Sequence, residues 1–143
     1  MSFDLALINN DIKINPDGSA RIVTDTPKLR QDIIKIILTP LGSVTSHPWY
    51  GCTINEEIIG RHLPRHILVE QIKISVTESL EKLKELQLAQ SSGQPVSLSE
   101  IMQVVAEVKV DNNQNDPRAI TVSVTILAKN LSKIEEYFTI TNA

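Results

Sequence analysis

Four side chains carry the donor atoms of a transition-metal site: His47, Cys52, His62 and His66. Zinc takes nitrogen and sulfur ligands in tetrahedral sets, so the set is complete on paper. His62 and His66 are one helical turn apart, but Pro64 stands between them, so the two need not share a helix face. The spacing of the four matches no zinc signature, and ordinary surface histidines are the better reading. Cys52 follows Gly51 in a loop with His47 near in sequence, which makes a thiolate–imidazole pair conceivable. No family signature surrounds that cysteine, and an inert, buried or partly buried thiol is expected. Glycoside hydrolysis needs two carboxylates across a sugar cleft, roughly 5–9 Å apart. Glu56 and Glu57 are adjacent, so on a helix they point in different directions. With aromatics at 3%, the chain also has few platforms for a sugar ring. No Gly-rich phosphate loop of either common type occurs. These residues lead to the expectation of no catalytic, metal or cofactor site.

His47-Pro48-Trp49-Tyr50-Gly51 contains the one tryptophan and one of the two tyrosines. Either the aromatic pair closes the end of the core as a packing corner, or it is an exposed anchor for a partner protein. Trp49 and Tyr50 are accordingly candidate partner-interface residues.

The chain has 143 residues, enough for one real core but not for two, so residues 1–143 read as a single domain. Hydrophobic content of 41% and charge of 22% are ordinary for a soluble globular protein, and a core poor in aromatics must be built from Ile, Leu and Val. A net charge of −3 offers no general attraction to nucleic acid or to an anionic membrane. No apolar run approaches the ~18 residues that span a bilayer. The start, MSFDLALINN, has no basic segment before an apolar one, so a secretory signal is not expected. The single cysteine rules out an internal disulfide and suits a reducing compartment, so the chain is expected to be made in the cytoplasm.

The elements that would position these residues follow from spacing. Short β-type runs at Leu5, Leu7, Ile12, Ile14, Ile22 and Val23 form a small antiparallel unit, turned at Asn9–Asp11 and at Asn15-Pro16-Asp17-Gly18. A helix then runs from about Pro27 to Thr39, capped by Asp25 or Thr26, with Leu29, Ile33, Ile36 and Ile37, and Ile34 as a further candidate, at the helical spacing of a buried face. Asn55 can cap a short helix that Gly60 ends. The longest helix covers roughly Arg65 to Gln90, with Ile67 or Leu68, Ile72, Val76, Leu80, Leu83 and Leu86 or Leu88 as its stripe. Ser91–Pro95 reads as a polar linker, after which the period becomes two. Val104, Ala106, Val108 and Val110 share one face of a strand; Ile120, Val122, Val124 and Ile126 share one face of the next, opposite Thr121, Ser123 and Thr125. Glu135–Thr141 is a last helical turn or an edge strand. The sum is an α+β fold: a two-layer single domain, antiparallel strands with two main helices packed on one face.

Leu29-Arg30-Gln31-Asp32-Ile33, Ile37-Leu38-Thr39-Pro40-Leu41-Gly42-Ser43, Tyr50-Gly51-Cys52-Thr53-Ile54 and Ile59-Gly60 together resemble the baseplate wedge family of contractile phage tails. That family was first labelled tail lysozyme-like and has relatives in other contractile injection systems. The resemblance covers about Asp11 to Ala128 and rests on the order and spacing of short motifs. Family members commonly have an arginine soon after the loop glycine, whereas here Ser43, Val44 and Thr45 follow Gly42. Of a Glu-Pro-Arg triplet found before the penultimate strand in many members, only Glu100 has a counterpart, which makes it a candidate interface residue.

The resemblance implies a structural subunit rather than a catalyst, present in multiple copies in the tail baseplate of a virion. Its implied partners are other baseplate wedge proteins and the tail sheath protein, whose assembly it would start by strand exchange. Edges around Asp4–Leu7 and Ala119–Ala128 are the expected pairing sites, and Thr121, Ser123 and Thr125 suit a wet interface. A muralytic glycosidase, with Glu57 as the residue to test, and a generic adaptor are the alternatives.

Overall fold

The computed structural model describes residues 2–9, 11–57, 61–112, 115–116 and 118–141. The expected Asn55 cap, the Gly60 helix end and the Glu57 side chain lie outside what is described.

The period-two runs in the last third of the chain build the sheet. β5 (Met102–Asn112), β6 (Ala119–Ala128) and β7 (Lys133–Thr141) form an antiparallel meander in that order. Ile120, Val122, Val124 and Ile126 of β6 are all buried on one face, as strict alternation requires. β5 departs from that pattern. Its register shifts between Met102 and Val104 and again between Val105 and Glu107. A bulge changes the face to which the following side chains point. Val105, Val108 and Val110 therefore pack on the core, while Val104 is 45% exposed and Ala106 is exposed as well. The expected inward set is thus corrected at Val104 and Ala106.

Two helices cover the apolar face. α1 (Asp25–Leu38) buries Leu29, Ile33, Ile36 and Ile37. A four-residue helix, α2 (Ile54–Glu57), precedes α3 (Arg65–Gly93), which buries Leu68, Ile72, Val76, Leu80 and Leu83. These side chains and those of β6 belong to one continuous core, and each fully buried Leu, Ile or Val stabilises it by roughly 1.5–3 kcal/mol. The chain is an α+β domain of two layers.

Three local expectations change. α1 has no side-chain cap; Asp25, at φ 54°, instead accepts hydrogen bonds from Ser97 and Ser99 at 2.7 and 3.2 Å. The linker expected from Ser91 is helical as far as Gly93, with Ser91 and Ser92 donating back to the carbonyls of Leu88 and Ala89. At the last buried turn of α3 the inward residue is Gln87, while Leu86 and Leu88 are exposed.

The N-terminal unit contains β1 (Asp4–Leu5) paired with β4 (Ile22–Val23), β2 (Leu7–Ile8) paired with β3 (Asp11–Ile12), and a bridge from Ile14 to Ala20. Each of the three segments therefore changes partner midway. At the changeover the Ala6 N–H donates to Arg21, the Arg21 N–H to Lys13, and the Lys13 N–H to Ala6, at 2.8, 2.9 and 2.9 Å. This closed triangle satisfies the backbone groups that a partner switch would otherwise strand.

Candidate functional site

The aromatic residues sit on a loop whose two ends are locked together. α1 stops at Thr39, and Pro40 forms a parallel bridge with Cys52. The Cys52 N–H donates to the Thr39 carbonyl at 2.8 Å, and the Leu41 N–H donates to Cys52 at 3.1 Å. Gly51 makes this possible. At φ +122° a Cβ there would lie 2.6 Å from the Thr39 carbonyl oxygen. The same strip is fastened to α3, because the Ser79 hydroxyl donates to the Gly51 carbonyl at 3.0 Å and Thr53 donates to Ser75 at 2.9 Å. Between these fixed ends His47, Trp49 and Tyr50 pack edge-on, with centroids 5.5 and 6.2 Å apart.

The loop roofs a cleft of about 390 Å³ between α1 and α3, lined among others by Lys28, Asp32, Trp49, Tyr50 and Gln87. Trp49 is 41% exposed at its mouth, while Tyr50 packs against the core. Tyr50 is thus the packing residue of the corner and Trp49 its exposed one. On the cleft wall Lys28 and Asp32 form a nearly buried ion pair at 2.8 Å. Burial raises the Asp32 pKa and the Lys28 contact only partly offsets it. Burial also pushes the Tyr50 hydroxyl up to about 12, helped by the charges of Asp32 and Asp4, so this phenol keeps its proton.

Neither a metal-ligand cluster nor a Cys52–His47 pair is assembled among the described residues. Among the described residues no group of three His, Cys, Asp or Glu side chains is gathered for a metal ion. Cys52 is buried with its Sγ 3.6 Å from the Ser75 carbonyl, whereas His47 is exposed and pairs with Ser46 at 2.9 Å.

The expected contact residues separate into three environments. Thr121, Ser123 and Thr125 alternate with the buried residues of β6 and lie on the sheet face away from the helices. They form cross-strand rows with Asp111 and Thr139, Lys109 and Tyr137, and Glu107 and Glu135. β6 is the central strand, however, paired on both sides, so Ala119–Ala128 is not a sheet edge. The meander places β5 and β7 at the edges instead. Glu100 is 1% exposed and is not a surface contact. Its carboxylate accepts from Ser2 at 3.0 Å and from the Ser97 N–H at 2.9 Å, in a capping box on the 3-10 turn Leu98–Glu100.

Two glutamines carry more than their sequence positions suggested. Gln31 donates to the Leu5 carbonyl at 2.7 Å and accepts from the Leu7 N–H at 2.9 Å. Gln87 does the same at Glu100 and Met102, at 3.0 and 2.8 Å. Each amide thus replaces a missing strand neighbour for an extended segment. Lys35 adds an ion pair to Asp4 at 2.6 Å. Burial alone would raise the Asp4 pKa, but the Lys35 bond and charge, with the Leu5 N–H and Gln31, outweigh it and hold this carboxyl below its ordinary value.

The architecture is that of an α+β domain whose meander sheet has β5 and β7 as its edge strands among the described residues. No family model matches the chain, and no curated protein matches its sequence. Its fold does match a crystal structure, at 1.44 Å resolution, described as a "putative tail lysozyme" from Geobacter sulfurreducens. The TM-score is 0.62 at 11% identity, over 80% of this chain and 88% of that one. The chain therefore shares the fold of a protein named for a tail.

Proposed function

We propose that this chain is a structural baseplate wedge subunit of a contractile phage tail or related injection system. In this reading it joins the wedge core, starts sheath assembly by edge-strand pairing, and works without catalysis or a cofactor. The observation that carries it is the open outer edge of β7 on a fold shared with a tail-named protein.

The chemistry of that edge supports the reading. The Ala128 N–H donates to Ser132, which fixes the ladder parity so that odd-numbered β7 residues direct their backbone groups away from β6. Glu135 conforms, because its carbonyl accepts from the Arg30 guanidinium at 3.1 Å. The Tyr137 and Thr139 N–H groups on the same edge meet no acceptor among the described residues. A strand from the sheath protein or a wedge neighbour would pair there, each hydrogen bond adding about 0.5–1.5 kcal/mol. The Thr121, Ser123 and Thr125 face lies beside that edge and suits a hydrated contact, while Trp49 offers an aromatic anchor on the helical side.

A proline at position 137 tests the proposal, since it removes an edge-facing N–H and leaves the β6–β7 ladder bonds in place. Phage carrying Tyr137→Pro should assemble baseplates without sheath, counted by negative-stain microscopy. Sheathed tails at wild-type frequency would sink the edge-pairing reading. The muralytic alternative is favoured by the name of the matched structure and by Asp32, a carboxyl of raised pKa in an aromatic-walled cleft. A cell-wall zymogram with wild type, Asp32→Asn and Glu57→Gln decides it. Clearing that either substitution abolishes would replace the structural reading.

A further inference from the structure

Beside the C-terminal half of β7 lies a notch of about 140 Å³, walled by Ile37, Leu38, Ile54, Phe138 and Ile140. Ile37, Ile54 and Ile140 are buried core residues, while Leu38, at the end of α1, is 53% exposed. An apolar space of about 150 Å³ stays dry and takes a benzene-sized group, so the notch holds one side chain of leucine size. The same stretch of β7 carries the unpaired edge. Phe138 and Ile140 point toward the helices, whereas Tyr137 and Thr139 direct their N–H groups out of the sheet. A segment paired with that edge sets every second side chain on the helix side, where the notch lies.

Towards the start of β7 the edge is closed. The Arg30 guanidinium donates to the Glu135 carbonyl at 3.1 Å and to the Glu136 carboxylate at 2.9 Å, so it sits where a partner's backbone would pair. A charged side chain placed on an edge in this way blunts it. The free stretch therefore begins at Tyr137. A second copy of this chain does not fit there through either edge strand of its sheet. Val108 and Val110 of β5, like Phe138 and Ile140 of β7, already pack on their own core and cannot also fill the notch of a neighbour. The occupant must be an extended segment whose helix-side residue is free.

We propose that this edge takes an extended segment of another protein that places one large aliphatic side chain in the notch, with Arg30 as the stop that sets its register. The inference rests on the edge-pairing reading and deepens it. Backbone hydrogen bonds hold any strand at an edge, and the pocket for an alternate side chain selects which one.

The test uses the full chain, isotope-labelled, titrated with a blocked threonine peptide of about ten residues carrying one central leucine, long enough to run from the notch past Glu135. A companion peptide carries alanine in place of the leucine. The leucine peptide should bind roughly 10-fold more tightly, slow amide exchange at Tyr137 and Thr139, and shift the methyl signals of Ile37 and Ile54. Exchange at the Glu135 amide should be unchanged in the wild type and slowed in Arg30→Ala, where the stop is gone. Leu38→Asp, at an exposed side chain, should remove the preference for leucine, with an unchanged thermal melt verifying the fold. Equal binding of the two peptides with both edge amides slowed would overturn the notch and leave edge pairing standing. No binding, or slowed exchange elsewhere, would overturn it as well, and the Tyr137→Pro phage then decides the edge reading alone. Slowing at Glu135 in the wild type would remove Arg30 as the stop. A dimer in sedimentation that Leu38→Asp dissociates would make a second copy the occupant and overturn the assignment.

Discussion

Single side chains and one missing side chain decide how the aromatic loop and the N-terminal unit are held. Gly51 is required twice, by its φ of +122° and by the Thr39 oxygen that a Cβ would meet at 2.6 Å. Gly51→Ala should lower stability by at least about 2 kcal/mol in urea unfolding, because both loop ends must move. Gln31→Glu keeps an acceptor for the Leu7 N–H but loses the donor to Leu5 and adds a charge beside Asp4, 3.0 Å from the present amide nitrogen. Amide exchange at Leu7 should then accelerate while exchange in α3 is unchanged. Asp4 gives a pH dependence of definite sign. Its folded pKa lies below the ordinary 3.8, so its stabilising effect is full above that value and is lost as the pH falls through the folded pKa. Asp4→Asn should therefore cost about 0.5–1 kcal/mol at neutral pH and nothing at strongly acidic pH, read from paired melts. Asp32 acts in the opposite sense. Its raised pKa means that ionisation opposes folding, and protonation on acidification relieves the opposition.

At the scale of elements, the bulges of β5 and the glutamine of α3 belong to one joint. Gln87 takes a buried position where helical spacing asks for leucine, and it satisfies the Glu100 carbonyl and the Met102 N–H just before the first register shift. Gln87→Leu would suit the apolar stripe yet leave two interior backbone groups unpaired, each worth roughly 1–3 kcal/mol. Thermal unfolding should show net destabilisation despite the gain in hydrophobicity. A rise in melting temperature would mean that the Glu100–Met102 segment finds other partners. β6 carries Val122, Val124 and Ile126, so its removal would abolish the core rather than test an interface. The proline at β7 is the sharper instrument for that purpose.

Across the whole molecule, the core cluster is drawn from residues Leu29 to Ile140 and includes none from the N-terminal unit. That unit is attached mainly by polar clamps: Gln31, Lys35 and the Ser2–Glu100 bond. A chain beginning at Thr24 should retain a cooperative melt and the near-ultraviolet signal of Trp49, with lower stability because the buried Glu100 loses its Ser2 donor and keeps only those of Ser97. Loss of cooperativity would show that the strand unit is part of the core's folding. The proposed partner edge, β7 with its hydroxyl rows, belongs to the core sheet rather than to that unit.

Local rules were enough to read the helices, the two long alternating strands, the two-layer class and the buried cysteine, because periodic burial and backbone chemistry are written in neighbouring residues, whereas Glu135–Thr141 stayed open between a helical turn and an edge strand until its ladder with β6 decided it. Trp49 and Tyr50 stood out as an aromatic corner for the same reason. Spacing could not show that β6 lies in the middle, since strand order depends on which edges meet and alternation is the same for centre and edge. Nor could it show Glu100 buried by Ser2, a contact 98 positions away. The inward turn of Gln87, the two bulges and the triangle of Ala6, Lys13 and Arg21 were equally hidden. Each answers the demand of a buried backbone group for a partner, and which groups lack one is settled only once the chain has packed.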